Sequence, residues 1–229
     1  MESMILTPRL ACIAALVPQG ARLADVGTDH GKLPISLLLE GRIAFAIGSD
    51  IGEGPLAHAG RNAQEHGVSL SLRLAPGLDA VRPEECDTVS IAGMGGQTIA
   101  EILQAAPWTA DGAHLLLLQP MTMVYELRQW LWAHGYAIER ETLCREDRRR
   151  YVVLSVRGGA PAKQVPLSQC AFSPALLCTF GAADYLQHLL TREQRALAGM
   201  EQARDRDDTR LAAQRALVHE IEQALEGLT

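Results

Sequence analysis

Apolar and polar residues along the chain switch between two periods, and the order of the switches predicts the architecture. Near the start, Thr7-Pro8 offers an N-cap and a first helical residue. Leu10, Ile13, Ala14 and Val17 then recur at helical spacing until Pro18-Gln19-Gly20 stops the run. The stretch 21–26 is short, apolar and closed by Gly27, the mark of a buried strand followed by a tight turn. The alternation repeats as a helix over 34–40, a strand over 44–47 ending at Ser49-Asp50, and a helix from Gly54-Pro55 to His66. Strands over 69–74 and 88–92 follow, the second ending in Gly93-Met94-Gly95-Gly96. A helix over 98–105, a strand over 114–118 closed by Gln119-Pro120, and a helix over 124–134 complete the alternation. Two last strands, 137–143 and 151–156, have no helix between them. Strands separated by helices make βαβ units, so the expected fold is α/β with a seven-stranded, mostly parallel sheet flanked by helices. The final pair is expected as an antiparallel hairpin at one edge.

Gly158-Gly159-Ala160-Pro161 punctuates the chain, and the pattern beyond it is different. Leu186, Leu190, Glu193, Leu197 and Met200 step by four and three; Leu211, Val218, Ile221, Leu225 and Leu228 fit a second such frame, with Asp207 or Asp208 placed to cap it. Two amphipathic helices folded as an antiparallel, coiled-coil-like hairpin satisfy this spacing, and one interrupted helix is the alternative. The predicted division is 1–160 for the sheet domain and 161–229 for the helical one.

Composition narrows the class. Apolar residues make up 48% of the 229 but aromatics only 4%, so Leu, Ala, Val and Ile must fill the core. No apolar run reaches the ~18–20 residues of a membrane span, and no basic stretch leads into an apolar run at the N-terminus; both features predict a cytoplasmic protein. Five scattered cysteines without a CxxC pair, and histidines without ligand spacing, predict free thiols and no metal. A net charge of −6 argues weakly against a nucleic-acid partner, but phosphate contacts need only a local patch, and Arg145, Arg148, Arg149 and Arg150 form one. That cluster reads equally well as a solvated turn between two strands.

In an open parallel sheet, ligands bind at the C-terminal ends of the strands near the point where strand order reverses. Three loops carry suitable residues there: Asp25-Val26-Gly27-Thr28-Asp29-His30-Gly31, Asp50-Ile51, and Ile91-Ala92-Gly93-Met94-Gly95-Gly96. An acid closing the second strand suits the ribose of either a nicotinamide dinucleotide or S-adenosylmethionine (SAM). The first loop separates the two. It is not GxGxxG, and Asp29 stands where a pyrophosphate would be repelled, whereas a sulfonium cation and an ammonium group tolerate acidic neighbours. Ordinary roles remain open on these residues alone: a turn cap for Asp25, a strand end for Asp50, the start of a helix for His30, a plain turn for Gly93–Gly96.

With these loops the sequence resembles the bacterial tRNA adenine-22 N1-methyltransferases, a Rossmann-like, SAM-dependent family. The resemblance is carried by Arg9-Leu10, by 24–30 with Leu33-Pro34, by Asp50 with Gly54-Pro55, and by Asn62 and Gly77-Leu78. It continues through 91–96, Leu118-Gln119-Pro120, Leu127-Arg128-x-Trp130-Leu131, Glu141, Glu146 and Tyr151. Gly31-Lys32 and Pro76 depart from the family pattern. The resemblance implies SAM held by Asp25, Gly27, Thr28, His30, Asp50, Ile51, Gly77, Leu78, Ala92 and Gly93. It implies methyl transfer to N1 of an adenine in tRNA, with Asp29 as the catalytic candidate beside the developing cation. Met94, Gly95 and Gly96 would meet the base, and Arg148, Arg149, Arg150 and the helical tail would grip the RNA. A methyltransferase with another acceptor and a non-catalytic RNA-binding module are the rival readings. Monomer and homodimer are both compatible with the sequence.

Overall fold

The computed structural model describes residues 4–147, 149–203 and 207–228. The first helix, α1 (Pro8–Leu16), begins as expected, with the Thr7 hydroxyl accepting from the Leu10 N–H. Six strands and four helices then run as β1 (Ala21–Val26), α2 (Lys32–Leu39), β2 (Ile43–Asp50), α3 (Glu53–Glu65), β3 (Ser71–Leu74), β4 (Thr88–Gly95), α4 (Gly96–Ala105), β5 (Leu115–Thr122), α5 (Val124–Ala133) and β6 (Ala137–Glu146). Strand β7 (Arg149–Arg157), α6 (Pro174–Leu177), α7 (Ala182–Gln202) and α8 (Asp208–Glu226) complete the order.

The sheet order is β3-β2-β1-β4-β5-β7-β6. Pairs among β1 to β5 are parallel, whereas β7 lies antiparallel to both β5 and β6. Order reverses between β1 and β4, so a crevice opens above their C-terminal ends. Alternation along the strands builds a core on each face. Leu117 and Val153 join α1 and α2 on one side, while Leu116, Leu118, Val152 and Leu154 join α4 and α5 on the other. Tyr185, Leu186 and Leu189 of α7 and Val218 and Ile221 of α8 belong to that second core, so the tail packs on the sheet.

The tail is the expected pair. Gln194 reaches Glu222 and Arg215 reaches Glu201, contacts that only antiparallel helices make, and Asp207 caps α8 by accepting from the Arg210 N–H. Glu193 of the predicted seam is buried, its carboxylate accepting from Gln214 and from the Tyr125 hydroxyl.

Several expectations need correction. The strand expected over 88–92 continues as β4 to Gly95 through a register shift, and α4 starts at Gly96, so the plain-turn alternative for Gly93–Gly96 falls away. Gly96 must lack a side chain, because a Cβ there would lie 2.2 Å from the Met123 carbonyl oxygen. Strand β5 runs past Gln119-Pro120 to Thr122, since Pro120 sits beside the bulged stretch of β4, where the ladder is already interrupted. Arg149 and Arg150 lie in β7 rather than in a turn, Arg150 opposite Arg145 and Arg149 opposite Glu146. Arg148 lies outside the described residues. The linker after Pro161 holds α6, capped by Ser173, which is too short to leave a periodic signal.

Candidate active site

Asp25 is the next-to-last residue of β1, with its side chain buried. In the ladder it stands beside Ser90 of β4, whose hydroxyl donates to Asp25 Oδ1 at 2.5 Å; the Thr28 hydroxyl donates to Oδ2 at 2.8 Å. Burial pushes the carboxyl up to about 6 against the opposing pull of the Ser90 and Thr28 hydroxyls, and the Asp50 charge adds to the rise. Such a group is primed to gain from a cation placed beside it.

Gly27 turns with φ 70°, and its N–H and that of Thr28 donate to the Ser49 carbonyl of β2, so the loop folds back over the sheet. Asp50 ends β2 and organises the same loop. Its Oδ2 accepts from the Asp29 N–H at 3.2 Å and its Oδ1 from the Gly52 N–H at 2.9 Å. Asp29 itself adopts a left-handed φ of 49°, with its carboxylate in solvent, 3.5 Å from His30 Nε2. His30 is held through its carbonyl by Asn62, and its ring meets His58 edge-on at 5.1 Å. Ile51 is 78% exposed, an apolar surface beside Asp50, and Leu78 is buried behind Gly77, whose carbonyl accepts from Ser49 Oγ.

The structure brings Asp25, Gly27, Thr28, Asp29, His30 and Ala92 into one cleft of about 90 Å³, with Arg9, Leu10, Lys32 and Leu33 as its other walls. Met94 packs against Gly27, its methyl carbon 2.4 Å from the position a Cβ there would take. Arg9 and Gln119 were not among the predicted site residues. Gln119 Oε1 accepts from Arg9 Nη1 at 2.8 Å and from the Gly93 N–H at 3.1 Å, and so pins α1 and the β4 end together. Ser90 was missed as well, since only the strand register places it against Asp25.

Arg149 and Arg150 are not in the cleft. They sit at the tip of the β6–β7 hairpin, which the antiparallel β5–β7 pairing carries to the same end of the sheet. On that side a second groove, of about 360 Å³, runs between Met121–Glu126 and α7, lined by Tyr185, Leu189 and Arg192. It abuts Gly95 and Gly96, which touch Thr122 and Met123. Among the described residues no group of three or more His, Cys, Asp or Glu is placed to hold a metal ion, and no helix is long and apolar enough to cross a membrane.

The donor set fits SAM: two carboxylates at adjacent strand ends for a cation and hydroxyls, a glycine floor, an apolar shelf at Ile51, and no phosphate cradle. Comparisons agree with it. The family described as "Methyltransferase domain" matches residues 6–154. The Bacillus subtilis protein named tRNA (adenine(22)-N(1))-methyltransferase is 36% identical over 161 residues, 69% of this chain and 68% of its own length. The crystal structure of the B. subtilis m1A22 tRNA methyltransferase TrmK superposes with a TM-score of 0.84 at 28% identity, covering 97% of this chain and 99% of that one. M. capricolum TrmK, solved with S-adenosyl-homocysteine, gives 0.78 at 25% identity over 98% and 99% of the two chains. On its sequence, its fold and the three loops that meet at the reversal of strand order, this chain belongs to the tRNA (adenine(22)-N(1))-methyltransferase family.

Proposed function

We propose that the protein methylates N1 of an adenine in tRNA, at position 22, giving 1-methyladenosine. The observation that carries this is the cleft of Asp25, Gly27, Asp29 and Ala92 at the sheet reversal, its loop held by Asp50 through the Asp29 N–H, in a chain 36% identical to a tRNA (adenine(22)-N(1))-methyltransferase. When bound, SAM supplies an electrophilic methyl group on a sulfonium centre. Asp25 and Asp50 hold the cofactor's cationic and hydroxyl groups, over the floor made by Gly27, Thr28 and His30. Ile51, Gly77, Leu78, Ala92 and Gly93 complete its surroundings.

Adenine N1 carries a free lone pair near neutral pH, so the residues around it act by positioning rather than as a strong base. The bulged backbone of Gly95 and Gly96 receives the base edge and Met94 packs on the ring. Asp29 offsets the positive charge that develops on the adenine. N1 lies on the pairing edge, so the groove beside Gly95 must receive an unpaired or flipped base. Arg148, Arg149, Arg150 and the α7–α8 hairpin hold the RNA by shape and phosphate, and a cytoplasmic setting goes with that substrate.

The test uses purified protein, labelled SAM and unmodified tRNA transcripts, with nucleoside mass spectrometry. Appearance of 1-methyladenosine that is lost when A22 is replaced in the transcript supports the assignment. SAM binding without transfer to any tRNA would reassign the acceptor.

A further inference from the structure

Phe180 is fully exposed, the extreme case of an apolar ring offered to solvent in this chain. It lies just before Gly181, the cap of α7, and forms the rim of a groove of about 190 Å³ whose other walls include Arg145, Arg150, Asp184 and Tyr185. Arg145 and Arg150 stand directly opposite each other in the β6–β7 ladder, where two like charges repel. One carboxylate, Asp184, answers them, through Arg150 at 3.1 Å. Arg145 has no ion-pair partner among the described residues; its Nε donates to the Asp147 carbonyl. An exposed aromatic ring beside an under-compensated guanidinium pair is the combination that single-stranded nucleic acid uses, base on ring and phosphate on arginine.

Its position connects it to the chemistry. Glu146, next to Arg145 but on the opposite face of β6, accepts from the backbone N–H of Arg9, so the hairpin tip reaches the end of the sheet where the cofactor cleft lies. Tyr185 is shared between this groove and the one beside Met121 and Met123, so the two form a track around the start of α7.

Resting on the tRNA reading above, we infer that Phe180 is a stacking platform for an unpaired base of the tRNA near the methylated adenine, with Arg145 and Arg150 holding the adjoining phosphate. Phe180 thus sets the strand's path into the active site and is a substrate-positioning residue. It touches neither the cofactor nor the reacting atoms.

The experiment compares wild type, Phe180→Ala, Phe180→Trp and Arg145→Ala in steady-state methylation of tRNA transcripts, with SAM affinity, melting temperature and sedimentation measured alongside. Phe180→Ala is expected to raise KM for tRNA about ten-fold, the worth of one base–aromatic stack, with kcat, SAM affinity and melting temperature unchanged. Phe180→Trp restores KM and adds a fluorescence change on tRNA binding that wild type lacks. Arg145→Ala lowers the slope of log affinity against log salt by about one. An unchanged KM in Phe180→Ala overturns the inference while leaving the tRNA reading intact. So does an unchanged KM with a shift in sedimentation, which would make the ring a contact between copies of the chain. Loss of SAM affinity in Phe180→Ala overturns it too, by placing the ring in the cofactor site. Failure of wild type to methylate any tRNA removes the reading and the inference together.

Discussion

Ser90 of β4 donates its hydroxyl to the buried carboxylate of Asp25 on β1 at 2.5 Å, a bond that crosses the point where the sheet reverses its order. Together with Thr28 it satisfies both oxygens of a carboxyl that burial still raises from 3.8 to about 6. A raised acid binds its proton more tightly in the folded chain than in the unfolded one. Its contribution to stability is therefore complete below pH ~4 and is lost as pH rises through about 6. Asp25→Asn should then stabilise the cofactor-free protein at pH 7, by up to roughly 2–3 kcal/mol, and flatten its stability between pH 4 and 7. The same change should weaken SAM binding, and in wild type the affinity should fall as pH drops through about 6, where the attracting charge disappears. Urea unfolding and SAM titration across that range check both. A variant no more stable than wild type at pH 7 would mean that the carboxyl is not strained by burial.

Met94 and Gly27 compete for one space. A Cβ on Gly27 would lie 2.4 Å from the Met94 methyl, and Gly27 also holds φ 70°. Gly27→Ala should cost about 1–2 kcal/mol from the left-handed backbone, plus the displacement of Met94. Adding Met94→Ala removes the second part only. The double variant should therefore lose less stability than the sum of the singles, by at least about 0.5 kcal/mol. Simple additivity in denaturant unfolding would show that the two side chains do not meet.

Arg128 and Glu141 form a fully buried bidentate pair, Nε to Oε1 at 2.9 Å and Nη2 to Oε2 at 2.7 Å. Arg128 Nη1 also donates to the carbonyls of Cys170 and Ala171, which fastens the start of the tail to α5 and β6. Glu141→Gln leaves a buried guanidinium without its counter-charge and should cost about 3–5 kcal/mol. The pair Arg128→Met with Glu141→Leu removes both charges and should cost less, although it orphans the two tail carbonyls. If the double variant proves the less stable, the pair stabilises in its own right rather than merely cancelling its burial.

These relationships mark what the sequence could and could not reveal. Short apolar runs between helices placed 21–26 and 88–92 in a parallel sheet, and glycines with acids at strand ends marked the crevice, because both signals are local. Asp25 with Ser90 and Arg9 with Gln119 are contacts between distant segments that exist only once the strand register is known. Three glycines within 93–96 point to a close backbone approach, but only the structure shows what is approached: a bulged strand end passes beside Thr122 and Met123. The steps of four and three in the tail announced its helices, but Phe180 stands outside any period, and nothing in its neighbours shows that a ring there points into solvent.

Asp29 differs from Asp50 in how its carboxylate is used, and that difference allows their roles to be separated. Asp50 is committed to the loop, accepting from the N–H groups of Asp29 and Gly52. The Asp29 side chain is 68% exposed, beside His30, and its backbone is the part that holds the turn. Asparagine tolerates the left-handed conformation that Asp29 adopts at φ 49°, so Asp29→Asn removes charge while keeping the loop. Stability should change by less than about 0.5 kcal/mol and SAM affinity should hold. If the carboxylate faces the charge that grows on the adenine, kcat should fall about 100-fold. Asp50→Asn should do the reverse in order, losing SAM affinity first because the loop over the cofactor loosens. Isothermal titration with SAM beside single-turnover methylation distinguishes them, and an Asp29→Asn protein that loses SAM binding in step with turnover would move Asp29 from the acceptor side of the site to the cofactor side.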